Sequence, residues 1–284
     1  MFEIIKSIII GIVEGLTEFL PVSSTGHIII AESLMRIPGG IVWTKAFTGM
    51  FDYVIQLGAI MAVIQLYFHK LNPFSPRKNE IEKKQTWTLW FKVVVAVLPA
   101  AVIGFLLNDF MDAHFLTPVV VATALILYGI LFIVLEKYNA REDVNPWMTD
   151  LNRMSYKLAL AIGFIQVLSI VPGTSRSGAT ILGAMFLGVS RIAAAEFSFF
   201  LSIPVMFGVT ILKVGSYLHK GGSFTGMQSV TLAVGFIVSW IVALFAIKFM
   251  MSYIKKHDFK AFGWYRIIVG ILVLILGFFG ILHM

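Results

Sequence analysis

The chain has 284 residues, is 58% hydrophobic and only 13% charged, and has a mean hydropathy of +0.90. That is too apolar for a soluble globular domain of this size and reads as a polytopic membrane protein. The absence of Cys excludes disulfides, thiolate nucleophiles and Cys-ligated metals. The net charge of +7 lies in short loops between apolar runs, a signature of membrane topology rather than of nucleic-acid binding.

The N-terminus, Met1 to Ser7, lacks the basic region and cleavage site of a secretory signal and reads as part of the mature protein. The first apolar stretch, 2–35, is interrupted by Pro21-Val-Ser23-Ser24-Thr25-Gly26. Spans of the length a bilayer requires follow near 50–68, 89–107 and 117–136. A second interrupted stretch, 157–188, carries Pro172-Gly173-Thr174-Ser175-Arg176-Ser177-Gly178, and spans near 193–212, 229–250 and 263–283 complete the chain. Broken backbone cannot face lipid, so each interruption is expected to be a re-entrant pair of half-helices buried in protein or lining a wet cavity.

Basic residues set the orientation. Lys70, Arg77, Lys78, Lys83, Lys84 and Lys92, then the 137–157 loop, then Lys255, Lys256 and Lys260 mark the cytoplasmic side. The 108–116 loop has no base and carries Asp109 and Asp112, and 213–228 has only Lys213 and Lys220. Both termini then fall outside if the two interrupted stretches are re-entrant. Gly11, Leu16, Pro21 and Ser24 match Gly163, Leu168, Pro172 and Ser175 with a one-residue slip, and Glu14 opposes Gln166. The expected fold is an all-α membrane domain built as an inverted repeat: 1–145, with hairpin 2–35 and three spans, and 146–284, with hairpin 157–188 and three spans. Inverted repeats with broken helices near the midplane are a transporter architecture.

Intramembrane ionisable groups are costly and point to function. Glu14 and Glu18 share one helical face at about 5–6 Å, where a hard divalent cation, Mg²⁺ or Ca²⁺, would relieve their repulsion; a protonated pair near a helix end is the plainer reading. Pro21 ends the first half-helix, and Ser23, Ser24 and Thr25 are N-cap candidates for a second from about Gly26, its free N–H groups suited to a phosphate. Gly173, Thr174 and Ser175 repeat the device, although capping alone would explain any single hydroxyl. Arg176 needs an anion, either a phosphate gripped bidentately or a structural partner in Glu14 or Glu18. His27 is a candidate acid, base or nucleophile. His69, His114, His219, His257 and His283 lie at loops or ends. Asp52 and Glu196 read as helix-start caps, Gln56 as a cavity liner, and Lys92 and Arg266 as snorkelling bases. Together these parts make a phosphoryl-transfer site for a substrate with a lipid tail; no Walker loop is present.

The run from Glu14 to His27, Glu-Gly-Leu-Thr-Glu-Phe-Leu-Pro-Val-Ser-Ser-Thr-Gly-His, and the run Pro172 to Thr180, Pro-Gly-Thr-Ser-Arg-Ser-Gly-Ala-Thr, closely resemble the two signatures of the bacterial undecaprenyl-diphosphatase, or bacitracin-resistance, family. Phe51 to Gly58 and Ala194 to Phe199 resemble it too, so the likeness covers essentially the whole chain. It implies a multi-pass enzyme of the bacterial plasma membrane that converts undecaprenyl diphosphate to undecaprenyl phosphate at the outer leaflet, with a divalent cation, and so recycles the lipid carrier of wall polymers. Glu14 and Glu18 would be the acidic pair, Ser24 and His27 the nucleophile or acid–base candidates, and Arg176 the diphosphate clamp. Ser175, Ser177 and Thr180 would be further contacts, beside Ser23, Thr25, Gly173 and Thr174 from the two knots. Ser24, His27 and a metal-bound water all remain open as nucleophile. The expected partners are the polyprenyl diphosphate and membrane lipids; a homodimer is compatible with the sequence, which does not fix oligomeric state. The competing reading is a transporter or flippase of an anionic polyprenyl lipid.

Overall fold

A computed structural model describes residues 1–35, 42–142 and 144–282, with the side chains of Asn108, Asp109 and Asp112 left aside. The readings of the Asp109 and Asp112 charges and of His283 therefore lie outside the described residues. The first half comprises α1 (Phe2–Thr17), α2 (Ser24–Leu34), α3 (Lys45–Leu66), the single turn α4 (Phe68–Leu71), α5 (Glu80–Phe115) and α6 (Pro118–Asn139). The second comprises α7 (Tyr156–Gln166), α8 (Arg176–Phe186), α9 (Arg191–His219), α10 (Gly226–Ile254) and α11 (Lys260–Phe278). Among the described residues the only β pairing is an isolated bridge between Met148 and Val189.

Six helices, α3, α5, α6, α9, α10 and α11, are long and apolar enough to cross a membrane. These are the six spans expected from the sequence, and they make the chain an all-helical polytopic membrane protein. Their ends follow ordinary capping chemistry. The Asn79 side chain accepts from the Glu82 amide while the Glu82 carboxylate accepts from the Asn79 amide, a capping box that starts α5. Thr117 caps α6 with Pro118 at its first position. Outward faces carry large apolar side chains such as Phe105, Phe245 and Phe278, as lipid contact requires.

The four remaining helices of any length are too short to cross: α1 has 16 residues and α2, α7 and α8 have 11 each. At 1.5 Å per residue even α1 reaches only about 24 Å, against roughly 30 Å of hydrocarbon. Each short pair is clasped by the opposite half. α1 lies on α10, and α7 lies on α5. Small residues permit the approach: a Cβ at Gly15 would sit 2.6 Å from the Ser239 carbonyl oxygen, and one at Gly163 would sit 2.2 Å from that of Ala96. α3 packs on α9 and α6 on α11, so spans of the two halves alternate around the paired breaks.

Candidate active site

The first break runs from Glu18 to Ser23 and the second from Val171 to Ser175. Both close on a serine. Ser23 and Ser175 have φ of 74° and 72°, and among the described residues they are the non-glycine positions with positive φ. Each side chain caps the helix that follows: Ser23 Oγ accepts from the Gly26 amide at 3.4 Å and Ser175 Oγ accepts from the Gly178 amide at 3.2 Å. Strained residues at two corresponding points are held by their surroundings, as is common at functional sites. This corrects two readings of the sequence. α2 begins at Ser24 rather than near Gly26, and the counterpart of Ser175 is Ser23, because backbone conformation sets the register and the one-residue slip disappears.

The first residues of the two return helices are thereby Ser24 and Arg176, and both reach one carboxylate. Ser24 Oγ donates to Glu18 Oε2 at 2.8 Å, and Arg176 Nη2 donates to Glu18 Oε1 at 3.1 Å. Glu18 is only 5% exposed. Ser177 Oγ donates to the Glu18 and Leu20 carbonyls at 3.0 and 3.3 Å, a second link across the breaks. Arg176 Nη1 donates to the Ser198 carbonyl at 2.8 Å, and its Nε is buried without a hydrogen-bond partner. Thr180 Oγ1 bonds Ser198 Oγ at 2.6 Å, tying α8 to α9 beside the guanidinium. Ser175 Oγ and Ser177 Oγ lie 3.1 Å apart. Gly173 has φ +89° and a Cβ there would sit 2.5 Å from the Val121 carbonyl oxygen; Thr174 is buried next to it.

Glu14, one turn before Glu18, is 0% exposed, and neither carboxylate oxygen has a hydrogen-bond partner. Its charged neighbours are Glu18, Asp52 and Arg176. Buried polar atoms are almost always satisfied, so two orphaned oxygens beside a second carboxylate are a place where an external group belongs. Among the described residues no set of three or more His, Asp or Glu gathers as a metal cage. Magnesium does not need one: it is commonly held by one or two carboxylates with water and substrate phosphates completing the shell. The donor set of Glu14 and Glu18 fits a hard cation of that kind.

Not every expected residue joins the cluster. Thr25 is exposed. His27 Nδ1 lies 2.7 Å from the Ser23 carbonyl, and Nε2 lies 2.8 Å from the Tyr265 hydroxyl with the rings stacked. A carbonyl only accepts, so Nδ1 carries the proton and Nε2 of the neutral ring accepts from Tyr265. His27 is thus bound to α11 rather than to Glu18 or Ser24.

The family model for bacitracin resistance protein BacA matches residues 7–272. The chain belongs to the BacA family. It is 71% identical over 284 residues to an undecaprenyl-diphosphatase of Leuconostoc citreum (strain KM20), covering 100% of both chains. It is 68% identical over 281 residues to an undecaprenyl-diphosphatase of Leuconostoc mesenteroides subsp. mesenteroides, covering 99% of each. An undecaprenyl-diphosphatase of Latilactobacillus sakei subsp. sakei is 59% identical over 272 residues, covering 96% of this chain and 97% of its own.

Several polar residues of this BacA-family chain are placed differently from their sequence reading. Arg266 does not snorkel: it is 0% exposed, lies over the Tyr128 ring and donates only to backbone carbonyls. Lys92 is also buried, donating to the Leu151 and Asn152 carbonyls at 3.2 and 2.9 Å. Asp52 lies two turns inside α3, with Oδ1 buried and unpartnered, so it caps nothing. Glu196 pairs with Lys70 at 2.6 Å. The rule that singled out Arg176, a charge within an apolar run, applies equally to Arg266 and would have found it.

Proposed function

We propose that this chain hydrolyses undecaprenyl diphosphate to undecaprenyl phosphate and inorganic phosphate, at the meeting point of its two helix breaks. The observation that carries the site is Glu18, which binds Ser24 through one oxygen and Arg176 through the other. A hydroxyl within hydrogen-bond reach of a buried carboxylate is the arrangement of an activated nucleophile. Arg176 offers an unpartnered Nε beside the Nη2 that holds Glu18, a fork able to grip a terminal phosphate bidentately. The N-termini of α2 and α8 add free amides and positive dipole ends.

The terminal phosphate competes with Glu18 for Arg176. Released from that pair, Glu18 takes the Ser24 hydroxyl proton. Ser24 Oγ then bonds the terminal phosphorus as the bridging P–O bond breaks, and undecaprenyl phosphate leaves without needing a proton. Water attacks the phosphoserine, its proton staying with the phosphate that is freed, while the departing Ser24 oxygen takes back the proton held by Glu18, restoring both residues. Glu14 and Glu18 would hold the divalent cation, Mg²⁺ or Ca²⁺, which supplies charge neutralisation at the phosphate oxygens. Gly173, Thr174, Ser175, Ser177 and Thr180 shape the second wall of the site, and Ser23 aims α2. His27 acts through its bond to Tyr265 as an anchor of α2.

In this reading the chain lies in the bacterial plasma membrane and returns the lipid carrier to cell-wall synthesis, with the diphosphate entering from the outer face. Residues 1–145 and 146–284 are inverted halves whose short helix pairs dip in from opposite sides. The cytoplasmic side is the one bearing Lys70, Arg191 and Lys255, where the Lys70–Glu196 and Arg191–Glu136 pairs join loops and helix ends. The purified full chain in detergent, supplied with Mg²⁺ and a polyprenyl diphosphate, should release phosphate and accumulate a trappable phosphoserine at Ser24. Turnover without a membrane separates a phosphatase from a transporter; absence of phosphate release in detergent defeats the enzymatic reading, and turnover by Ser24→Ala at the parental rate defeats the nucleophile assignment.

A further inference from the structure

Arg266 is a fully buried cation with no ion pair among the described residues. A guanidinium so placed needs acceptors for its fixed fan of N–H groups. It finds them on the two breaks. Nη1 donates to the Pro21 carbonyl at 3.1 Å, in the first break. Nη2 donates to the Gly173 and Thr174 carbonyls at 3.1 and 3.0 Å, in the second. Nε reaches the Leu125 carbonyl of α6 at 3.4 Å, and the Tyr128 ring lies beneath at 5.5 Å. Chain breaks inside a membrane free carbonyls that lipid cannot satisfy. One planar group satisfies three of them, and because its two terminal nitrogens are rigidly related, it also sets the spacing between the breaks.

We propose that Arg266 is a positioning residue for phosphoryl transfer, holding the Ser24 side of the site in register with the Arg176 side. This rests on the phosphatase reading given above. Ser24 follows Pro21 by three residues and Arg176 follows Thr174 by two, so a change in spacing at the carbonyls passes directly to the nucleophile and the clamp. The Glu18–Arg176 bond exists only while the breaks stay in register. A compact ammonium cannot replace the fork, because a point charge with a flexible stem does not hold two carbonyl groups at a fixed separation. Gly178 completes the fit: a Cβ there would sit 3.0 Å from Arg266 Nη1.

The test uses Arg266→Lys in the full chain. Displacement of about 1 Å at a reacting centre costs on the order of 100-fold in rate, so kcat for polyprenyl diphosphate should fall about 100-fold with KM changed less than about threefold. Leu16 and Leu168 flank the two breaks and are exposed, and the chain has no native Cys. Spin labels on Leu16→Cys and Leu168→Cys should therefore report the spacing, with a narrow distance distribution in the parent and a shifted or broadened one with Arg266→Lys. Gly178→Ala adds a methyl 3.0 Å from the guanidinium and 3.3 Å from Ser175 Cβ, and should give the same kcat-selective loss at about three- to tenfold; if Arg266→Lys does not fold, this loss together with a shifted or broadened distance distribution decides the question. A kcat within threefold of the parent for both variants, or a loss of kcat with an unchanged distance distribution, overturns the proposal. If the unlabelled parent itself releases no phosphate, the phosphatase reading fails while the distance measurement still tests the staple.

Discussion

Ser23 and Ser175 share one backbone conformation, φ 74° and 72°, and one task, each accepting the amide three residues further on. An L side chain in that region is strained, and glycine would remove the strain but also the cap. Alanine keeps the strain and loses the cap. Ser23→Ala and Ser175→Ala should each cost about 1–2 kcal/mol of stability, while the glycine variants stay within about 0.5 kcal/mol of the parent. Chemical denaturation in detergent reads the difference, and equal behaviour of alanine and glycine would remove the strained-cap explanation.

Glu18 bridges the nucleophile candidate and the clamp, so activity and stability should separate at this point. Ser24→Ala should lower kcat by at least about 100-fold, at the level of lost acid–base and nucleophilic assistance, with stability changed by less than about 1.5 kcal/mol, the worth of one hydrogen bond. Glu18→Ala should be equally inactive and lose about 3–5 kcal/mol, because it removes the one carboxylate that is hydrogen-bonded to the buried Arg176 guanidinium among the described residues. A Glu18→Ala protein as stable as the parent would show that Arg176 has another anion.

No donor reaches either Glu14 carboxylate oxygen, so its replacement should damage metal use more than folding. Chelation should abolish phosphate release and added Mg²⁺ or Ca²⁺ should restore it. Glu14→Gln should raise the half-saturating metal concentration at least about tenfold, the order seen when metal-site groups are lost, with unfolding unchanged or slightly harder. Metal-independent turnover in the parent would exclude the cation.

Tyr265→Phe removes the hydroxyl that His27 Nε2 accepts. One hydrogen bond is worth about 0.5–1.5 kcal/mol, so that much stability should be lost with kcat within about threefold. A kcat loss of 100-fold or more would make His27 part of the chemistry and not only an anchor.

Glu136 is fully buried, takes a bidentate contact from Arg191 and accepts the Phe259 amide at 3.0 Å. It joins α6, α9 and α11 away from the breaks. Arg191 is partly solvated, so Glu136→Ala should cost about 1.5–3 kcal/mol, the worth of hydrogen bonds to a charged group, while the protein that remains folded keeps its specific activity. Activity lost in step with a normal unfolding curve would contradict this purely architectural role.

The parts of this molecule set by short-range pattern were legible before its structure. Apolar length marks the six spans, and Pro21 and Pro172 with their hydroxyl runs mark the breaks. Glu14, Glu18, Ser24 and Arg176 stood out because ionisable and hydroxyl groups are expensive in apolar sequence. Their pairing was not legible, since Glu18 and Arg176 meet only after the two halves interlock. Arg266 was misread for the same reason: whether a base snorkels or is buried depends on neighbours that are distant in sequence. Matching by letters pairs Ser175 with Ser24 rather than with Ser23, because letters can be aligned with a slip, whereas a positive φ cannot. His27 shows the opposite limit, where sequence proximity to Ser24 suggested chemistry and the ring turned instead to Tyr265.

All the carbonyls that Arg266 holds belong to the main chain. No replacement of the side chains at Pro21, Leu125, Gly173 or Thr174 can delete an acceptor. This fastening, unlike the Glu18–Arg176 and Ser177 links beside it, therefore depends on the side chain of one codon, and a small molecule that competed for that one guanidinium would loosen its hold on both breaks at once.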